Sequence, residues 1–255
     1  MRRHTANPPA GNPPNPAQPQ GQPSQSAGKK QSKKHTVKSV LTAAAAAIVT
    51  GAGVFGPHLS STPNMDVFAG CGLAGIVTTA QQAKLNPLKN RYSFPTPADI
   101  AANVDLATML KSTGGQLDDS KAAQIEGFIT EVKPGGIESC NCGATDPINM
   151  DTHIYVNETP GGDKKHAIIV EVTPRLRQLM AGKADWSTPT LIKLLKPGTK
   201  VRITGWLFYD AEHENAAQNI KDRPHNWRGS CWELHPVTGI EMENAEQTPG
   251  LSPPG

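Results

Sequence analysis

No aspartate or glutamate occurs before Asp66. Residues 1–56 nevertheless hold Arg2, Arg3, Lys29, Lys30, Lys33, Lys34 and Lys38, a charge of +7. The whole chain carries +3, so removing this leader leaves −4 for the remainder. The basic sequence pI of about 8.6 therefore belongs to the leader. The rest is mildly acidic, which weighs against a nucleic-acid partner bound by phosphate neutralisation. Large apolar side chains are also missing between Asn7 and Pro23, a stretch made almost wholly of Pro, Asn, Gln, Gly and Ala. Nothing there offsets the entropy of ordering, so residues 1–36 read as a disordered, Pro-rich basic tail.

Charge of either sign is then scarce across the next apolar run. Val40 to Phe55 is Ala-rich and uncharged, and residues 37–56 are about as long as the roughly 20 residues that span a bilayer. A basic flank before an apolar run is what the export machinery handles, with the positive side kept in the cytoplasm. The expectation is a membrane partner through residues 37–56, as anchor or cleaved signal, with the C-terminal part outside the cytoplasm or secreted. Four cysteines, Cys71, Cys140, Cys142 and Cys231, then read as disulfide candidates of an oxidising compartment. A bond between Cys140 and Cys142 is geometrically poor. The expected pairing joins Cys140 or Cys142 to Cys231, with the other reaching Cys71. Thiolate metal ligation with His153 or His235 is the rival.

Residues 57–117 read as a Pro-punctuated linker with one short helix. Thr96-Pro97-Ala98-Asp99 is a capped start, Ile100, Val104, Ala107 and Leu110 fall at helical spacing, and Gly114-Gly115 ends it. Beyond it, Ile125–Lys133, Thr152–Asn157 and His166–Thr173 read as strands bounded by Pro-Gly or Gly-Gly signals. Thr173-Pro174 opens a helix from Arg175 to Ala181, and Ser187 to Pro189 opens another through Leu195. Lys200–Tyr209 and Trp232–Met242 are two more strands, the last bent at Pro236. Three strands, a helical segment and two strands give a mainly β fold, a five-stranded OB-like Greek-key barrel with helices between strands three and four. It covers residues 118–245, with a disordered tail at 246–255. A generic five-stranded α+β domain gives the same order of elements. No internal repeat is visible.

Alternation along the strands assigns faces. Ile154 and Val156 are the apolar pair of the second strand, which puts Asp151, His153, Tyr155 and Asn157 opposite. Glu171 and Thr173 oppose Ile168, Val170 and Val172. Glu233 and His235 oppose Trp232 and Leu234. In an OB order of 1-2-3-5-4 these polar residues share one sheet face, where such barrels usually place ligands. The candidate ligand-binding residues are Asp151, His153, Glu171, Arg175, His235 and Trp227. Trp227, beside Arg228 in the long 4–5 loop, suits a stacking platform or an anchor of that loop. Arg175 suits a clamp on a carboxylate or phosphate. Two imidazoles and several carboxylates also have the composition of a metal or acid–base centre, with His153, His235 and Asp151 as ligands. No cofactor beyond such a divalent metal is expected, and no HExxH-type spacing supports one. The same residues equally suit a solvated face with cross-strand His–carboxylate pairs.

The stretches Gly135–Cys142, Asp151–Val156, Val170–Arg175, Gly205–His213 and Trp232–Met242 together resemble an uncharacterised group of bacterial exported proteins. The resemblance covers roughly the last half of the chain and implies no activity. The expected function is an exported ligand-binding barrel of unknown ligand; the alternatives are a metal-dependent, nuclease-like hydrolase and a structural module of an envelope complex.

Overall fold

The computed structural model describes residues 63–243. The tail and membrane segment expected at residues 1–56, and the tail at 246–255, lie outside the described residues. Among the described residues no helix is long and apolar enough to cross a membrane.

Five strands close into a barrel: β1 (Ala122–Pro134), β2 (Thr152–Asn157), β3 (Ile168–Val172), β4 (Lys200–Tyr209) and β5 (Trp232–Met242). Their order is β1-β2-β3-β5-β4, with β4 returning to β1. Every neighbouring pair is antiparallel except β3 and β5, which run parallel through Val170 opposite Leu234. This is a closed mixed barrel, consistent with the OB-like order expected from sequence. Closure depends on β1, whose 13 residues serve two neighbours. Ala122–Phe128 pairs with β4 and Phe128–Pro134 pairs with β2. Gly127 sits at the changeover, and a Cβ there would meet the Val156 side chain at 2.6 Å. A register shift between Ile129 and Glu131 bends the strand further. Gly205 in β4 has a similar reason, since a Cβ would lie 2.8 Å from the Pro236 carbonyl of β5. The His235–Pro236 peptide is cis.

The interior holds Ile125, Ile129, Ile154, Val156, Val170, Val172, Ile203, Leu207, Trp232 and Leu234. These are the residues that period-2 alternation points inward. Two helices, α3 (Pro174–Met180) and α4 (Thr188–Leu194), separate β3 from β4, with Thr173 capping the first through Leu176. Before the barrel lie α1 (Ala80–Lys89) and α2 (Leu106–Lys111). Leu106 and Met109 of α2 join the core.

Two expectations change here. The helix expected from Thr96 to Gly114 is two pieces. Thr96 and Asp99 do form a capping box, but it caps only one 3-10 turn, Pro97–Asp99. Ile100 then extends to bridge Ala122, and Asp105 caps α2 afresh through Thr108. A backbone bridge to the sheet has outcompeted local helical spacing. The linker segment, expected to be irregular and able to pack on the domain, does pack on the barrel with Asn86, Lys89 and Asn90 buried, and departs from the expectation in carrying α1. We call Met65–Tyr92 the strap. It opens with a small hairpin in which Val67–Phe68 pairs with Cys71–Gly72.

Candidate functional site: a buried polar cluster under the strap

Alternation along β2, β3 and β5 brings the expected polar residues to one face. His153 pairs with Glu171 across β2 and β3, and Val170 opposite Leu234 places Glu171 beside His235. The face is not solvated. Asp151, Glu171, Glu233 and His235 are each at most 3% exposed. The strap and the 1–2 loop lie over them, a cover that strand alternation cannot reveal.

The strap is fastened by polar groups. Arg175, read from sequence as a ligand clamp, is buried and spends its guanidinium on the strap instead. Its Nε donates to the Met65 carbonyl at 3.0 Å, Nη1 to Asn90 Oδ1 at 2.6 Å and Nη2 to the Cys71 carbonyl at 2.7 Å. Asn90 Nδ2 donates to the Leu73 and Cys140 carbonyls, tying strap to loop. Arg91 reaches across to the Leu207 and His235 carbonyls. Lys89 is buried, with Nζ 2.8 Å from Glu138 Oε2 and 5.6 Å from the centre of the Phe208 ring.

Of the expected cysteine pairing, the link to Cys71 forms and the link to Cys231 does not. Cys71 bonds Cys142, whereas Cys140 and Cys231 are free and buried. Cys231 immediately precedes β5, where its backbone carbonyl accepts from the Asp210 N–H, while the strap brings Cys71 to the 1–2 loop. Cys140 points instead at Glu138, Sγ to Oε2 3.3 Å.

Within the cluster several groups lie close without bonding one another. His153 Nε2 is 3.2 Å from Glu171 Oε2 and 3.5 Å from Glu138 Oε1, yet has hydrogen-bond geometry with neither. His235 is different at Nδ1, which shares a hydrogen bond with Glu233 Oε2 at 3.4 Å and also lies 3.4 Å from Glu171 Oε2. Its Nε2 faces Asp151 Oδ2 at 3.7 Å and has no partner. Neither carboxylate oxygen of Asp151 has a hydrogen bond. Such buried, unpartnered polar atoms are rare and costly. Glu233 is held on its other side by Arg228, which also binds Asp210 at 2.8 Å.

Electrostatics follow from burial and neighbours. Burial, then the Glu138 and Glu171 charges, push the Asp151 carboxyl well above its usual range, and the neighbouring Asn141 amide favours the ion without completing a hydrogen bond. Burial opposes a charged His153, but Glu171 and Glu138 outweigh it and raise the imidazole to about 11. For His235 burial wins over the pull of Glu171 and lowers it to about 4, leaving a neutral ring. Burial works against both partners of the Lys89–Glu138 pair, yet each stabilises the other's charge, so the lysine sits well above and the glutamate well below its ordinary value. Burial and the Asp151 and Glu138 charges raise the Cys140 thiol.

Three overlapping sets could each hold a cation with donor atoms within 4.8 Å: Asp151, Glu171 and His235; Glu138, His153 and Glu171; and Glu138, Cys140 and Asp151. His153 and His235 both border Glu171 but share no set among the described residues. The three ligands expected together thus divide, with Asp151 and His235 in one set and His153 in its neighbour. Trp227 stands apart from the cluster. Its exposed ring meets the edge of His213 and lies against Arg228, contacts within the 4–5 loop itself. Sequence reasoning misses Glu138 and Lys89, while Cys140 enters it as a disulfide candidate and as a rival thiolate ligand. Glu138, two residues before Cys140, is legible once a disulfide is known to hold the 1–2 loop; Lys89 leaves no sequence signal.

Comparison with protein-family models and with curated proteins finds no match for this chain.

Proposed function

We propose that this chain is an exported, OB-like barrel that holds one divalent transition-metal ion on its covered 2-3-5 face, bound by Asp151, Glu171 and His235. The observation that carries the reading is the set of buried donors without partners, both oxygens of Asp151 and Nε2 of His235. A carboxylate buried with no hydrogen bond costs several kcal/mol unless a cation meets it. The electrostatics point the same way: burial and the Glu138 and Glu171 charges push the Asp151 carboxyl well above its usual range, and a divalent ion at its oxygens would hold that carboxyl ionised.

His235 is prepared as a ligand. Nδ1 faces the Glu233 carboxylate, itself fixed by Arg228, so Nε2 presents its lone pair. A carboxylate behind a ligating histidine orients the ring and strengthens its donation. One imidazole and two carboxylates suit zinc, manganese or iron(II) better than calcium or magnesium. The cover over the face favours a held ion over an extended oligosaccharide or oligonucleotide lying along the strands. The Cys71–Cys142 bond supports the exported reading, since disulfides persist in oxidising compartments.

The test is metal content. Protein dialysed against zinc and then against buffer is expected to retain one equivalent by elemental analysis. Asp151→Asn and His235→Ala are expected to retain none, whereas His153→Ala keeps the ion. Zinc-free wild-type protein after this treatment refutes the reading.

A further inference from the structure

We infer that the Cys71–Cys142 disulfide is a redox latch: reducing it lets the strap leave the 2-3-5 face and opens the centre beneath. What the latch guards rests on the metal reading above; the opening of the strap does not.

The composition of the strap carries the argument. From Met65 to Tyr92 the fully buried apolar side chains are Met65 and Cys71 alone. The other buried residues are Asn86, Lys89 and Asn90, held by hydrogen bonds and one ion pair. Segments with few buried apolar contacts open at low free energy. Polar ties to a barrel exchange readily for water, because each is worth little net once solvent competes. The covalent bond is different in kind. It joins the strap to the 1–2 loop across 71 positions of sequence, and no other described covalent tie holds the strap down.

The two cysteines differ in burial. Cys142 is half-buried on a turn of positive φ, while Cys71 is buried. A dithiol reductant attacks Cys142 Sγ as its thiolate. The S–S bond breaks and Cys71 leaves as a thiolate that takes up a proton. The second reductant thiol then resolves the mixed disulfide, releasing Cys142 and leaving the reductant oxidised by two electrons. Opening removes Lys89 from Glu138, Asn90 from Cys140 and Arg91 from the His235 carbonyl, and so frees residues belonging to all three cation sets.

Two buried thiols supply an internal control. Cys140 lies under the strap, with its carbonyl bonded to Asn90, whereas Cys231 lies just before β5 and is fully buried. The experiment measures N-ethylmaleimide labelling of each by mass spectrometry on the full chain freed of metal. The samples are oxidised wild type, wild type treated with a phosphine reductant, and the Cys71→Ser/Cys142→Ser variant. Labelling of Cys140 is expected to rise by roughly 10-fold or more in both opened samples, with Cys231 unchanged. Cys140 staying as slow as in oxidised protein overturns the latch. Cys140 and Cys231 rising together also overturns it, because the bond then holds the barrel rather than the strap. A second arm follows release of loaded zinc to a chelator with and without reductant. Faster release on reduction supports the latch, and equal release rates overturn its role as guard of the centre. If zinc never loads, the metal reading fails, while the Cys140 labelling still decides the latch.

Discussion

Replacing Asp151 by asparagine separates what the carboxylate does for an ion from what it costs the fold. Asp151 and Glu171 contribute donor atoms within 4.8 Å of each other, both almost wholly buried. Burial and these neighbouring charges push the Asp151 carboxyl well above its usual range, so metal-free folding at pH 7 protonates it, at a cost of up to about 4 kcal/mol from an unfolded value of about 3.9. Asparagine removes this cost but leaves a buried polar group without full partners, worth about 1–3 kcal/mol. The metal-free variant should therefore be more stable than metal-free wild type by about 1–3 kcal/mol, or roughly 2–10 °C in Tm for a domain of this size. Zinc at about 100 times its dissociation constant should stabilise wild type by about 2.7 kcal/mol, and should leave Asp151→Asn unmoved. Differential scanning calorimetry in chelator and in zinc gives four melting temperatures. An Asp151→Asn protein that melts below wild type in chelator, or that shifts equally with zinc, would refute the reasoning.

Other changes probe the supports of the site. Arg228→Met strands the buried Asp210 and Glu233 carboxylates without their cation, and should cost about 3–5 kcal/mol in chemical denaturation; Arg228→Lys should not restore it, since one ammonium cannot reproduce the forked geometry. Arg175→Ala removes three bonds to the strap and should speed limited proteolysis within residues 65–92 while the barrel stays resistant. His213, whose Nδ1 lies 2.5 Å from Asp210, is held above its ordinary value chiefly by that hydrogen bond. A raised histidine contributes stability that is full below about pH 6.5 and fades as pH rises through its folded value. An NMR titration should place it above 6.5 in wild type and lower in Asp210→Asn.

Sequence periodicity marked the barrel well because its strands obey one local rule. Thr152–Asn157, Lys200–Tyr209 and Trp232–Met242 were read with the ends that the structure gives them. The same rule placed Asp151, His153, Glu171 and His235 on a common face. It could not say whether that face is wet. Burial there comes from Lys89, Asn90 and Arg175, whose partners lie 49 to 110 positions away. Such pairing leaves no periodic trace. The Thr96 cap misled for a related reason, since a capping box signals a helix start but not its length, and the bridge from Ile100 to Ala122 ended it early.

The double pairing of β1 also limits how other proteins can approach this one. A sheet with free edges offers unpaired backbone groups to any passing strand; a closed barrel offers none. Because β1 pairs with β4 along its first half and with β2 along its second, every strand of the barrel has a neighbour on both sides. Among the described residues, the two-rung hairpin of the strap lies outside that ring of pairs, and its Val67 is exposed. A partner that recognises backbone would find an open strand edge on the strap.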